Sequence, residues 1–205
     1  MDTRPDTDTG RPPTGAALLR ESVTETIRQA MFEELAEAGY ARMSMEAVTR
    51  RAGVGKAALY RRWPSKEAMV VELISEAAGE HIPTTTDSGS LPGDVERFIR
   101  ETLGALRHPL VGRIIPDLLA ESARSGTLRE ALHDAVLAPR RAAVATVLRR
   151  AADRGELPPD IDTSLAIDLF GAPLYFRMLA AGGPTDDAYI ARLTRAVVAA
   201  IAAGR

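Results

Sequence analysis

The sequence predicts an all-α fold, a three-helix N-terminal unit followed by a longer helical domain, and three observations carry that prediction. Apolar residues recur at spacings of three and four along most of the chain, and nothing alternates with period two over a useful length. Serines and glycines stand where helices of that spacing would start and stop. Between 81 and 93, "HIPTTTDSGSLPG" gathers Pro, Gly, Thr and Ser, the composition of a joint between periodic segments.

The elements follow in order. Residues 1–15, rich in Pro, Gly, Thr and Asp, cannot bury enough apolar surface to fold alone and are expected to form a disordered arm. From 18 to 39, Val23, Ile27, Ala30, Met31, Leu35 and Ala38 mark a first helix, with Gly39 just past its last turn. Ser44 is an N-cap for a short second helix through Met45 and Val48 to Ala52, which Gly53 ends. "VGKAALYRRW" makes a third, closed by Pro64, and Ser65 caps a fourth carrying Ala68, Met69, Val71, Leu73 and Ile74. Further helices are expected near 92–107, 109–123, 126–155, 162–181 and 186–203.

Composition narrows the classes of function. The chain has 205 residues, 45% hydrophobic and 26% charged, enough for a substantial core. Without cysteine it has no disulfide, thiolate metal site or cysteine nucleophile, and three scattered histidines leave little for metal chemistry. No stretch approaches the roughly 20 uninterrupted apolar residues of a membrane span, and the N-terminus lacks a signal core, so a cytoplasmic protein without membrane contact is expected.

"AGVGKAALYRRWPSK", residues 52–66, admits three readings. Gly53, Gly55 and Ala58, with Glu72 downstream, match a dinucleotide-binding loop on paper, but that loop needs a buried strand before it, and "SMEAVTRR" is a polar, capped helix. A phosphate loop fails because Arg50 takes the place of its first glycine and Ala57 that of the magnesium-holding hydroxyl. A helix-turn-helix fits: two short helices joined by a tight glycine turn, packed on a longer first helix, with the second of the pair entering the major groove of DNA.

On that helix Val54, Leu59 and Trp63 can face inward, leaving Lys56, Ala57, Tyr60 and Arg61 outward. Small Ala57 and Ala58 allow close approach to base edges, and Arg61 can grip a guanine bidentately. Between Ala41 and Lys66, seven cations face one acid, Glu46; this local +6 within a chain of net −2 leaves −8 elsewhere. A basic patch on an otherwise acidic protein is the footprint of a phosphate-backbone binder.

"GYARMSMEAVTRRAGVGKAALYRRWPSKEAMV" resembles the N-terminal DNA-binding domain of the tetracycline-repressor (TetR) family of bacterial regulators. The resemblance lies in Gly39-Tyr40, Ser44, Val48, Ala52-Gly53-Val54, Lys56, Leu59-Tyr60 and Pro64-Ser65-Lys66-Glu67. It implies that helix three, Gly55 to Arg62, reads bases, that Tyr60 and Lys66 hold phosphates, and that Ser44 combines capping with a phosphate contact. Met43, Thr49 and Gly55 depart from the family's usual Thr, Ala and helix-capping Ser. The chain then divides into the arm, a helix-turn-helix domain over 16–64 and a ligand-binding and dimerisation domain over 65–205.

The last two helices suggest an interface. Leu165, Leu169, Ala172, Phe176 and Leu179 form one apolar stripe, while Ile167, Phe170, Leu174 and Met178 form a second on the same helix. A helix with two apolar faces needs two partners. Ile190, Leu193, Val197 and Ile201 add a stripe on an alanine-rich final helix, so a four-helix homodimer interface is expected. A wholly intramolecular core would give the same pattern, and the resemblance favours the dimer. Two recognition helices would then meet successive major grooves about 34–36 Å apart on a pseudo-palindromic operator.

The resemblance also implies a small-molecule effector bound in the second domain, releasing the protein from DNA. Candidate lining is Phe98, Leu103, Ile115, Leu118, Leu119, Phe170 and Leu174, all equally at home in a core. Pro173 should bend its helix and open space beside Phe170. Asp168 and Arg177 either orient a ligand or pair within the dimer interface.

An enzyme is not indicated. Glu130 and His133 have the spacing of a di-metal bundle motif, but no second copy occurs, and no nucleophile elbow, zinc helix or carboxylate pair stands out. No cofactor is expected. The alternative function is a helical ligand-binding or adaptor protein turning its basic face to an acidic partner.

Overall fold

The structure, a computed structural model, describes residues 15–80, 86–158 and 160–203, and the side chains of 15–21 are not part of that description. The expected arm lies outside these residues except for Gly15. Among the described residues ten α-helices run in order: α1 Gly15–Ala38, α2 Met45–Ala52, α3 Lys56–Arg62, α4 Lys66–Glu80, α5 Leu91–Leu106, α6 Pro109–Ser122, α7 Gly126–Leu132, α8 Ala138–Asp153, α9 Thr163–Tyr175 and α10 Asp187–Ala203. No strand occurs among the described residues. The all-α expectation therefore holds.

Local chemistry sets the helix ends. Ser44, Ser65, Ser90, Ser125 and Asp162 each accept a backbone N–H three residues on, at 3.0–3.3 Å, relieving a donor that the first turn leaves unpaired. Pro109 stands in the first turn of α6, where its missing N–H costs nothing. The 126–155 segment differs from the single helix expected: a π-helical stretch, His133–Leu137, joins α7 to α8. α9 likewise runs into a π-helical stretch, Phe176–Ala181, ended by Gly182 at φ 62°. That stretch lies just after Pro173, which has no N–H to donate, and the Phe176 N–H reaches both Ala172 and Pro173 carbonyls.

Two cores result. The first gathers Met31 and Leu35 of α1, Val48 of α2, Leu59 of α3 and Met69, Val70 and Leu73 of α4, and extends to Ile114 and Leu118 of α6 and Leu128 of α7. The second binds α5, α8, α9 and α10 through Val95, Ile99, Leu148, Leu174 and Val197. Their meeting place is α6, whose Ile115 leans on the second core while Ile114 and Leu118 fill the first.

Thr163–Ala181, 19 residues, is the one helix among those described long and apolar enough, by length and composition, to cross a membrane. Its Ala166, Phe170 and Leu174 face is buried in the second core.

Candidate nucleic-acid interface

The α2–α3 corner is built from its caps. Ser44, at φ −132°, opens α2, and Gly53, at φ 66°, closes it in a left-handed conformation that side chains avoid. A Cβ at Gly53 would meet nothing within 4 Å, so backbone conformation alone calls for glycine there. Gly55 caps α3 without a side-chain bond, as its departure from serine implies. Leu59 and Trp63 are fully buried and pin α3 to α1 and α4, with Val54 half-buried beside them. Gly55, Lys56, Ala57, Ala58, Tyr60 and Arg61 are consequently exposed along one side.

These side chains are not equally available. Arg61 makes no ion pair or side-chain hydrogen bond among the described residues, and neither does exposed Arg50 on α2. Lys56 Nζ lies 2.7 Å from Glu46 Oε1, and the Tyr60 hydroxyl donates to the same oxygen at 3.2 Å. The Lys56 ammonium holds the Glu46 carboxyl below the usual carboxylate range, and Glu46 in return raises Lys56 above its ordinary value.

Other cations of the segment are engaged by acids of the same chain. Arg62 reaches Thr24 of α1 and, at 3.3 Å, Glu72 of α4, and lies over the Trp63 ring at 4.5 Å. It braces α3 against α1 and α4 while its side chain stays 39% exposed. Arg51 pairs with Glu33, Glu34 and Glu37 of α1 at 2.5–3.3 Å, and those carboxylates raise its pKa. The local excess of charge is thus partly neutralised by acids that lie far away in the sequence.

Half-buried Lys66 donates from Nζ to the Tyr40 carbonyl at 2.7 Å and sits 4.5 Å over the Tyr40 ring. From the opposite side Asp117 of α6 accepts the Tyr40 N–H at 2.6 Å. Gly39 is positive in φ, at 77°, and a Cβ there would stand 2.8 Å from the Asp117 carboxylate. The turn between α1 and α2 is therefore clamped by α4 and α6. Sequence reasoning missed Asp117, because 77 residues separate it from its partner, and passed over Glu46 although it is the lone acid in the basic segment.

In the second domain the predicted residues divide. Leu165 on α9 and Phe176 at the start of the π-helical stretch after it stand outward, 49% and 69% exposed, with Ala172 also exposed and Leu169 and Leu179 half-buried. On α10 the expected stripe points the other way: Ile190, Val197 and Ile201 are buried in their own protomer, with Leu193 packed beside them. The reason is α5, which covers that face; the exposed side of α10 carries Ala191, Ala196, Ala199 and Ala200 together with Arg192 and Arg195.

Phe98, Leu103, Phe170 and Leu174 lie together in the second core, and the Phe98 and Phe170 rings meet edge to face, centroids 5.3 Å apart. Phe98 thus occupies the space Pro173 was expected to open. Leu118 belongs to the first core and Leu119 is exposed, so these two share no space with Phe170. Asp168 pairs with Arg141 of α8 at 2.5 Å, while Arg177 donates to the Pro184 carbonyl and stacks on Tyr189 at 4.8 Å. Both find partners within the protomer.

Residues 27–73 match the family model described as bacterial regulatory proteins, tetR family, and residues 85–197 the model described as tetracyclin repressor-like, C-terminal domain. The chain belongs to the TetR family. It is 34% identical over 181 residues to the DNA-binding transcriptional repressor TetR of Mycobacteroides abscessus, covering 87% of this chain and 88% of that one. It is 26% identical to the HTH-type transcriptional regulator YdeS of Bacillus subtilis, covering 83% of this chain and 85% of that one. The crystal structure of the TetR family transcription regulator SCO0332 superposes with a TM-score of 0.67 at 29% identity, covering 87% of this chain and 97% of that one. As a TetR-family protein it is a DNA-binding transcriptional regulator with an N-terminal helix-turn-helix and a C-terminal helical ligand-binding domain.

Proposed function

We propose that the protein is a homodimeric repressor that grips a pseudo-palindromic operator in the cytoplasm with the outer side of α3 and leaves it when a small molecule enters the C-terminal domain. The supporting observation is the row Lys56, Ala57, Tyr60 and Arg61, exposed on a helix whose inner side is fixed by buried Leu59 and Trp63. Arg61 meets a base edge, for which its guanidinium is unencumbered. Ala57 and Ala58 let the backbone approach the groove, and Lys56, Tyr60 and Ser44 meet phosphates. Lys66 keeps donors for a phosphate while bonded to the Tyr40 carbonyl, since an ammonium carries three.

The dimer forms through the outward stripe centred on Leu165, Ala172 and Phe176, beside the exposed side of α10, where Arg192 and Arg195 stand among alanines. An effector enters the second domain by parting Phe98 from Phe170, with Leu103, Ile115 and Leu174 around it. Selection of bound duplexes from a random pool tests the reading. A two-fold symmetric consensus with half-sites about one helical turn apart is expected; enrichment without consensus would overturn it.

A further inference from the structure

Glu46 is the single acid among the residues from Ala41 to Lys66, and the fold brings it onto two DNA-facing groups of α3 at once. Lys56 keeps 62% of its side-chain surface and Glu46 50%, so the trio sits at the open surface where a duplex would arrive. A tyrosine hydroxyl has one proton to donate, and that of Tyr60 goes to Glu46 Oε1. A phosphate oxygen taking that proton must displace the carboxylate. At Lys56 the carboxylate already stands at the distance a phosphate oxygen would take, and two anions on one ammonium repel.

We infer that Glu46 is an affinity-setting residue: in the free protein its carboxylate stands in for a DNA phosphate on Lys56 and Tyr60, and every duplex must displace it. The inference rests on the proposed reading of α3 as the DNA-facing helix. The carboxylate stays charged and paired at neutral pH, since Lys56 lowers its pKa. Because the displacement is required whatever the bases, Glu46 weakens binding to operator and other DNA alike, shortening residence on both without changing which sequence is preferred.

The test uses the full-length protein and two probes: a duplex of random sequence and the duplex most enriched in the selection. Glu46→Gln should bind both tighter by about two- to fivefold, the range of an exposed ion pair, leaving the ratio of affinities unchanged. Glu46→Ala should do the same, showing that loss of charge rather than the amide is responsible. Adding Glu46→Gln to Lys56→Gln should give a smaller gain than in the wild type, because the main competitor has no ammonium left to hold. Weaker or unaltered binding by Glu46→Gln and Glu46→Ala, while Lys56→Gln and Tyr60→Phe weaken it, overturns this inference alone. Wild-type affinity in Lys56→Gln and Tyr60→Phe overturns the reading of α3 and this inference with it.

Discussion

The Tyr40 peptide is held by two oppositely charged side chains, Asp117 on its N–H and Lys66 on its carbonyl, and this pair decides how the α1–α2 turn is set. A charge-assisted bond of this kind is stronger than a neutral one, and its loss leaves a partly buried donor without a partner. Asp117→Ala should lower stability by about 1–3 kcal/mol, read as a lower urea midpoint with unchanged m-value. Lys66→Ala should weaken binding to every duplex and reduce the salt slope by about one phosphate's worth; an unchanged slope would contradict its phosphate role. Such partnerships are invisible in the sequence, because nothing local distinguishes half-buried Asp117 from the exposed acids of a helix. The same holds for Arg51 and Arg62, whose carboxylate partners sit on α1 and α4.

Helices whose ends rest on their own residues were legible. Ser44, Gly53, Ser65 and Pro109 state where α2, α4 and α6 begin or end, and the structure places those ends within a residue or two. The π-helical stretches were not, because a widened turn leaves the apolar spacing of the flanking helices nearly intact. Nor was the direction of the α10 stripe: periodicity identifies an apolar face but not the element that covers it, and α5 lies about 90 residues earlier.

The start of α5 carries an acid-sensitive contact. Glu156 accepts the Leu91 N–H and pairs with Arg154, and these, the N–H foremost, hold its carboxyl below the usual range; Asp87 is lowered likewise, first by the Gly89 N–H and then by Arg154. Folded values below the unfolded ones of about 4.3 and 3.9 give stability that is present above those values and lost as pH falls through the lowered ones. Melting temperature should therefore drop between about pH 5 and pH 3. Glu156→Gln should melt lower than wild type at pH 7 and lose less on acidification; parallel pH curves for the two proteins would remove Glu156 from the account.

At the scale of the whole molecule, the proposed dimer stripe of α9 and the proposed DNA-facing row of α3 would belong to one device, since two recognition helices need a fixed spacing. Phe176, 69% exposed, is the most exposed large hydrophobic side chain among the described residues. Phe176→Asp should give a folded monomer by sedimentation, with operator binding lost or greatly weakened; a variant that still sediments as a dimer would move the interface elsewhere. The two apolar stripes were readable from the sequence, because they run on unbroken from α9 into the π-helical stretch that follows it.

The most direct measurement on the central claim is a repeat of the duplex selection with Arg61→Ala. If the outer side of α3 reads bases, the consensus should lose its preference at one base pair in each half-site, worth about 1–3 kcal/mol, and keep the others. An unchanged consensus, or a uniform loss of affinity across all sequences, would mean that the bases are read elsewhere.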